Sequence, residues 1–176
     1  DFRALHAMNP IRLGMINYLF KDESSKPWYP LYGRRIMDIG CGGAAAQFPE
    51  GFDAVVASEV LEHVSDWKQL VSDASSCHFI ATTINRTLPS YWLGIIIAEN
   101  IIKITPKGMH TWSKFVEPSE LSLVAIRIMR LLFLDNLQPR KVLGMTYCPL
   151  SNEWSWTESQ SINYAFHAVK VVPENS

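Results

Sequence analysis

Two carboxylates and an imidazole lie close together in the segment ASEVLEHV, which follows an apolar run. Glu59, Glu62 and His63 are spaced i, i+3 and i+4, and on a helix these positions share one face. Two oxygen ligands and one nitrogen ligand suit Mg²⁺, Mn²⁺ or Zn²⁺, with positions left for water or substrate. The acids also suit a helix start that Ser58 would cap, near the positive end of the helix dipole. From spacing alone, helix capping is the favoured interpretation.

A glycine-rich turn precedes this segment in the sequence MDIGCGG, where Asp38, Gly40, Gly42 and Gly43 follow a short apolar run. Glycines there let the backbone turn tightly and approach a ligand at the carboxyl end of a strand. A plain strand-to-helix turn uses glycine in the same way, so the motif alone leaves both interpretations open. The absence of a following Gly-Lys-Ser/Thr argues against a triphosphate P-loop. The lack of room for a helix before the next strand argues against a dinucleotide-binding unit.

Apolar patterning predicts the elements that position these residues. Helices are expected at 10–20, 59–76 and 119–134, a loop at 22–33, and strands at 35–39, 52–57 and 79–84. Two further strands, at 141–147 and 162–172, are expected to form a terminal hairpin. Strands that alternate with helices predict an α/β fold with a mostly parallel sheet covered on both faces. Without repeats or a low-complexity linker, residues 1–176 are expected to form a single domain.

Composition excludes several classes of protein. The 176 residues are 48% hydrophobic and 19% charged, which fits a globular chain rather than a disordered one. A net charge of −1 gives no sign of a nucleic-acid binder. Cys41, Cys77 and Cys148 have neither zinc-site spacing nor the pattern of a disulfide framework, so a reducing compartment is expected.

A strongly apolar segment covers about residues 88–104 but is too short and too often interrupted to span a membrane. Tyr91 and Trp92 near one end and Lys103 near the other are residues that favour a membrane interface. A helix on a membrane surface and a buried core helix fit this pattern equally well. His110, in the loop that follows, either binds an acceptor ring and removes a proton or is held by backbone contacts.

Taken in order, MDIGCGG, FDAVVASEVLEHV, ATTINRT, PKGMHTWSKFVEPSEL and SINYAFHAVK resemble the S-adenosylmethionine-dependent O-methyltransferases of ubiquinone biosynthesis, and most of all their mitochondrial members. The upstream segment ALHAMNPIRLGMI resembles the entry helix of that family. The resemblance implies a class I, Rossmann-like methyltransferase sheet, mostly parallel with a terminal antiparallel strand. It also implies O-methylation of polyprenylated catechol-type intermediates in ubiquinone biosynthesis.

The resemblance assigns S-adenosylmethionine contacts to Arg12, Gly40 and Ser58, and Asp38 and Gly42 of the glycine turn complete the predicted donor site. It assigns Mg²⁺ to the acidic segment, which reverses the preference for helix capping there. The predicted metal ligands are Glu59, Glu62 and His63. The predicted catalytic residues are these three together with His110.

The polyprenylated phenolic substrate that the resemblance implies favours the membrane-surface interpretation of the helix at about 88–104. The implied partners are the membrane surface and other ubiquinone-biosynthesis proteins, without nucleic acid. The implied location is the matrix side of the mitochondrial inner membrane, with peripheral attachment.

The segment AAAQFPEG stands between Gly43 and Phe52, where the family carries a helix, two strands and their loops. A parallel crossover needs about a dozen residues, so the sheet is predicted to lack about two strands after the first glycine turn. The acid that binds the adenosine ribose is predicted to be missing with them. A deletion, a segment left out of the sequence and a smaller sheet would each give this pattern. The alternative function is a catalytically weak or inactive membrane-surface component of a ubiquinone biosynthetic complex.

Overall fold

The computed structural model describes residues 6–21, 28–39, 51–74, 78–92, 112–131 and 136–171. Its helices are α1 (Asn9–Phe20), α2 (Trp67–Asp73), α3 (Leu88–Ser90) and α4 (Pro118–Leu131). Its strands are β1 (Ile36–Asp38), β2 (Ala54–Ser58), β3 (His78–Ile84), β4 (Asn136–Cys148), β5 (Glu153–Thr157) and β6 (Asn163–Val171). Short 3₁₀ helices cover Leu61–His63 and Trp112–Lys114.

The strands form one six-stranded sheet in the order β1-β2-β3-β6-β4-β5. β1, β2 and β3 pair in parallel, whereas β6 pairs antiparallel with both β3 and β4, and β5 antiparallel with β4. β1 to β4 therefore point one way, and β5 and β6 point the other way. This confirms the predicted α/β sheet with a terminal antiparallel strand. Among the described residues no strand pairs with the outer side of β1, and nearly all of the segment AAAQFPEG lies outside those residues.

Apolar side chains cover the sheet on both faces. On one face, Val71 of α2 and Leu121 and Ala125 of α4 pack against Phe79 and Phe166 of the sheet. α1 covers the second face. The buried residues on that face include Met15, Ile16, Phe20, Val56, Ile80 and Ala165. Burying aliphatic and aromatic side chains in this way contributes about 1.5–3 kcal/mol for each one fully removed from water. The predicted helix 10–20 and helix 119–134 are therefore the two main covers of the sheet.

The predicted helix over 59–76 is wrong in its first half. Glu59 has a left-handed backbone with φ of 53°, and its N–H donates to the carbonyl oxygen of Thr82 over 2.8 Å. The backbone of residue 59 is therefore still hydrogen-bonded to β3. This pairing is incompatible with an α-helical turn. The α-helix begins only at Trp67, where the side chain of Asp66 accepts a hydrogen bond from the N–H of Gln69.

The β4–β5 hairpin differs from the expected pattern. β4 and β6 do pair, as predicted, but β5 is an additional edge strand whose residues are mostly exposed. β5 was not predicted, although EWSWT alternates tryptophan with polar residues as a short strand does. β4 also begins earlier than predicted, and its register with β6 shifts between Pro139 and Lys141. Such an irregularity accommodates proline, which has no N–H to donate.

Two histidines bridge β3 and β6 at the start of β3. His78 Nδ1 and His167 Nε2 lie 3.1 Å apart, and the rings stack with centroids 5.3 Å apart. Phe20 of α1 packs against His78, with 4.8 Å between ring centroids. Burial, followed by the charges of His78, Arg140 and Lys141, lowers the pKa of His167 to about 4. His167 therefore stays neutral in the folded chain over a pH range in which an unfolded histidine takes up a proton.

We expect this pair to make the protein less stable in mild acid. The unfolded state binds more protons than the folded state between about pH 6.5 and pH 4, so the free energy of unfolding falls as the pH is lowered through that window. His167→Gln is expected to flatten this dependence, by about 1–2 kcal/mol between pH 7 and pH 4.5. Urea unfolding of the unaltered chain and of the variant at several pH values measures how steeply the free energy of unfolding changes with pH. A constant effect of the substitution on stability does not alter this slope. Equal slopes for both proteins would contradict the expectation.

Candidate active site

A polar cluster lies at the carboxyl ends of β2 and β3. Ser58 ends β2 and pairs in register with Thr82 of β3, and their hydroxyl oxygens are 2.8 Å apart. Arg12 of α1 donates from Nη1 to the Ser58 hydroxyl and from Nη2 to Asn9 Oδ1. The guanidinium is thereby fixed at the edge of the sheet where parallel-sheet proteins bind their ligands. Two residues of the predicted donor site, Arg12 and Ser58, are brought together.

Glu59 directly follows Ser58 and has a strained backbone. A left-handed φ is uncommon for a residue other than glycine, and such residues concentrate at functional sites. Although part of the residue reaches the surface, Oε1 is buried and has no hydrogen-bond partner. Burial, and then the charge of Glu62, raises the pKa of Glu59 to about 8, while the Thr82 hydroxyl and Arg12 act in the opposite direction. The carboxyl group is therefore mostly protonated at neutral pH.

Glu62 lies on the other side of β3. Its side chain is buried, with 3% exposed, and its Oε2 accepts a hydrogen bond from Thr83 Oγ1 over 2.7 Å. Its Oε1 is also buried without a partner. Thr82 and Thr83 point to opposite faces of the strand, but the charge of Glu62 still reaches Glu59 and is one of the causes of its raised pKa. Two neighbouring carboxyl groups disfavour each other's charge, so Glu59 holds its proton more tightly.

The three predicted metal ligands do not form a common face. Glu62 points into the protein, whereas His63 is exposed, because residues 61–63 form a 3₁₀ helix and Glu59 precedes it in a left-handed conformation. In the part of the chain that the structure describes, no three His, Cys, Asp or Glu residues are grouped as a metal site. The residues thus do not fit the predicted magnesium site, and the prediction gains no support.

Of the remaining predicted site residues, only Asp38 lies among the described residues. Asp38 ends β1 and is exposed at the same edge of the sheet. Gly40, Gly42 and His110 lie outside the described residues. Residues 93–104 of the predicted surface helix also lie outside them, and the described start of that segment is the short helix α3.

Sequence analysis missed Thr82 and Thr83, which place the two carboxyl groups. The signal was present in ATTIN, where two hydroxyl residues interrupt an otherwise buried apolar strand. Buried hydroxyls are usually hydrogen-bonded, so consecutive threonines there indicate polar partners on both faces of the strand.

Comparison with known proteins finds sequence similarity to one group of methyltransferases. No protein-family model matches the chain. The chain is 33% identical over 229 residues to the mitochondrial ubiquinone biosynthesis O-methyltransferase of Rattus norvegicus, across 96% of the chain. It is 34% identical to that of Homo sapiens, also across 96% of the chain, and 27% identical to the ubiquinone biosynthesis O-methyltransferase of Aliivibrio fischeri, across 95% of the chain. The chain is thus similar in sequence to ubiquinone biosynthesis O-methyltransferases, both mitochondrial and bacterial.

The chain spans 64% of the rat ubiquinone biosynthesis O-methyltransferase, 59% of the human one and 87% of the Aliivibrio one. The rat alignment covers 229 residues, although this chain has 176. The rat protein therefore carries residues within the aligned region that this chain lacks.

One solved structure has a weaker similarity. Magnesium protoporphyrin IX methyltransferase from Synechocystis, solved with bound SAH, is 15% identical, with a TM-score of 0.42 over 72% of this chain and 48% of that chain. A similarity of that size carries no argument about the site. The relationship to the ubiquinone biosynthesis O-methyltransferases rests on the sequence matches, and the fold on the strand order.

Proposed function

We propose that this chain transfers a methyl group from S-adenosylmethionine to a hydroxyl of a polyprenylated catechol-type intermediate in ubiquinone biosynthesis. The names of its relatives support the reaction and the substrate class. The observation that carries the proposal in this chain is the buried Glu59–Glu62 pair at the carboxyl end of the sheet, beside the fixed cation of Arg12. The pair provides a base and the cation provides an anchor, and O-methylation requires both.

The donor is proposed to bind at the edge formed by β1 and β2. When bound, S-adenosylmethionine supplies an electrophilic methyl group on a sulfonium. Its carboxylate matches the guanidinium of Arg12, which is held in place by Ser58 and Asn9 and so loses little freedom on binding. The proposed site is incomplete where the ribose of the donor would bind, because the segment that would carry the acid that binds the adenosine ribose is short. We therefore expect weaker donor binding than a complete donor pocket would give.

Glu59 is proposed to take the proton from the acceptor hydroxyl. A phenol has a pKa of about 10, and a base with a pKa near 8 is well matched to it near neutral pH. The phenolic O–H bond breaks as the O–CH₃ bond forms and the S–CH₃ bond breaks, and the proton passes to Glu59 and then to solvent. Glu62 stays hydrogen-bonded to Thr83 and raises the basicity of its neighbour. No step uses a metal, because the predicted ligands do not fit one.

Calorimetry and a methyl-transfer assay test the proposed function. We expect S-adenosylmethionine to bind at micromolar to millimolar concentration. We also expect labelled methyl groups to appear on a short-chain prenylated dihydroxybenzoate. An excess of EDTA is expected to change the rate by less than about twofold, since the base is a carboxylate pair. Absence of donor binding would overturn the proposal and favour the non-catalytic membrane-surface component. Loss of activity with EDTA that Mg²⁺ restores would restore the metal hypothesis.

Peripheral attachment to the matrix side of the mitochondrial inner membrane is part of the same proposal. Exposed aromatic side chains support it: Trp92 and Trp112 each pack edge-on against Tyr91, beside the exposed Leu88. Such rings favour the headgroup region of a bilayer. No helix of the described residues is long and apolar enough to cross a membrane. The mitochondrial origin of several relatives supports the location.

Vesicle flotation tests the membrane attachment. We expect the chain to float with vesicles of phosphatidylcholine and cardiolipin, and the double substitution Leu88→Ser with Trp92→Ser to reduce the floated fraction several-fold. The matched control is Leu150→Ser with Trp156→Ser, which alters exposed apolar residues at the distant β4–β5 hairpin. Equal loss in both variants, or no flotation of the unaltered chain, would contradict the attachment.

A further inference from the structure

A buried amide just beyond β3 has an unused hydrogen-bond acceptor. Asn85 follows Ile84, and its N–H donates to the carbonyl oxygen of Ile162 over 2.7 Å, which continues the pairing between β3 and β6. The residue is 8% exposed. Its Oδ1 has no hydrogen-bond partner among the described residues. Buried acceptors are normally satisfied, so this oxygen calls for an explanation.

The orientation of this amide is fixed by its other end. Nδ2 of Asn85 lies 2.8 Å from the carbonyl oxygen of Gln160. A carbonyl only accepts hydrogen bonds, so the NH₂ group must face Gln160 and Oδ1 must face away from it. Gln160 is itself held by a hydrogen bond from its side chain to the Val142 carbonyl, and Ser90 donates to the Asn85 carbonyl over 2.5 Å. Oδ1 is thus a rigidly held acceptor rather than a mobile one.

The position of Asn85 connects it to the acidic pair. Thr83, which donates to Glu62, precedes Asn85 by two residues on an extended backbone, so the two side chains lie on the same side, about 7 Å apart along the strand. The charge of Glu62 acts on Glu59, so these two unpartnered carboxyl groups lie near each other. Asn85 is neutral and has no such neighbour at hydrogen-bond distance. Its oxygen can therefore accept a hydrogen bond from a donor that the described residues do not supply.

We propose that Asn85 is a specificity-determining residue whose Oδ1 accepts a hydrogen bond from the second hydroxyl of the acceptor ring, the one that is not methylated. This rests on the proposed function. A neutral amide oxygen matches a neutral hydroxyl donor, and its fixed orientation leaves it unpaired when the acceptor has a single hydroxyl. Sites that hydrogen-bond a substrate hydroxyl reject analogues that lack it, because the buried partner then stays unsatisfied. Because Oδ1 is covered in this structure, the acceptor must displace a neighbouring group to reach it.

The experiment compares two acceptors in two proteins. The acceptors are a short-chain prenylated 3,4-dihydroxybenzoate and the corresponding monohydroxy compound that keeps only the hydroxyl to be methylated. We expect the unaltered chain to prefer the dihydroxy acceptor by about 100-fold or more in kcat/KM. Asn85→Ala is expected to reduce that preference at least tenfold, with most of the change in the dihydroxy acceptor. The ratio is independent of the amount of folded protein, so partial unfolding of the variant does not affect the result.

A control variant and the possible outcomes distinguish failure of the role proposed for Asn85 from failure of the proposed function. Asn17→Ala removes an exposed amide of α1 and is expected to leave the ratio unchanged. If Asn85→Ala lowers kcat/KM equally for the two acceptors, the amide serves only to hold Gln160 in place. The inference is then overturned. An unchanged ratio with unchanged activity means that a water molecule satisfies Oδ1, which overturns it as well. If the unaltered chain methylates neither acceptor, the proposed function fails first.

Discussion

Replacing Glu59 by Gln is expected to lower kcat for methyl transfer by about 10²–10⁴-fold, the usual contribution of a general base. Glutamine preserves the size of the side chain and its contact with Thr82 but cannot accept a proton. In the unaltered chain the rate should rise with pH up to about pH 8, because ionisation of Glu59 creates the base. The variant should lose this rise. Initial rates between pH 6 and pH 9 at saturating donor measure both effects.

The same substitution is expected to stabilise the fold at neutral pH. Between about pH 4.5 and pH 8 the unfolded chain loses the Glu59 proton while the folded chain retains it, so the free energy of unfolding falls as the pH rises through that window. A neutral amide avoids this cost, which amounts to on the order of 2 kcal/mol at pH 7. Thermal unfolding at pH 5 and pH 7 should show the larger gain at pH 7.

Glu158→Gln is the matched control, because it changes the same side chain at an exposed position near the β5–β6 loop. It should leave both the rate and the stability nearly unchanged. If Glu59→Gln kept full activity and the same pH profile, Glu59 would not be the base. A variant that was slower but also less stable at pH 7 would point to damaged packing instead.

Removing the guanidinium of Arg12 is the second change with a large expected effect. Arg12→Ala should weaken S-adenosylmethionine binding by about 30-fold or more, since losing one partner of a close charged pair typically costs 2 kcal/mol or more. Arg12→Lys keeps the charge but cannot contact Ser58 and Asn9 together, so an intermediate loss is expected. Calorimetry of donor binding measures the dissociation constants.

Arg140→Ala provides the control for Arg12, because it removes an exposed guanidinium from β4, distant from the carboxyl ends of β2 and β3. Its donor affinity should match that of the unaltered chain. If Arg12→Ala bound the donor equally well but transferred methyl groups slowly, Arg12 would act on the acceptor side. Equal weakening in both arginine variants would indicate a general electrostatic effect, which high salt should remove.

The strands and covering helices were predictable because burial patterns are local. β2 and β3 are short apolar runs, and α4 begins at a proline, a pattern that depends on neighbouring residues alone. The segment after β2 was mispredicted because Glu59 is held by a hydrogen bond to Thr82, which is distant in sequence. β5 was missed although Trp154 and Trp156 alternate with polar residues, because a run of five mostly exposed residues is a weak signal.

The resemblance placed two residues of the candidate site in one pocket, but the geometry of the site was not predictable. Arg12 and Ser58 were assigned to the same pocket from the resemblance, and they are in contact. The spacing of Glu59, Glu62 and His63 suggested one helix face, whereas residues 61–63 form a 3₁₀ helix in which Glu62 is buried and His63 exposed. Which oxygen of Asn85 or Glu59 lacks a partner depends on distant loops, so no sequence pattern contains that information.

The strand order has a consequence for synthesis and folding. β6 comes last among the strands but lies in the middle of the sheet, paired with β3 on one side and β4 on the other. A growing chain therefore holds β1 to β3 and the β4–β5 hairpin as two separate pieces until β6 leaves the ribosome. Pairings between residues so far apart in sequence form slowly and leave apolar edges exposed meanwhile. Nascent chains that stall before β6 should accordingly depend on chaperones.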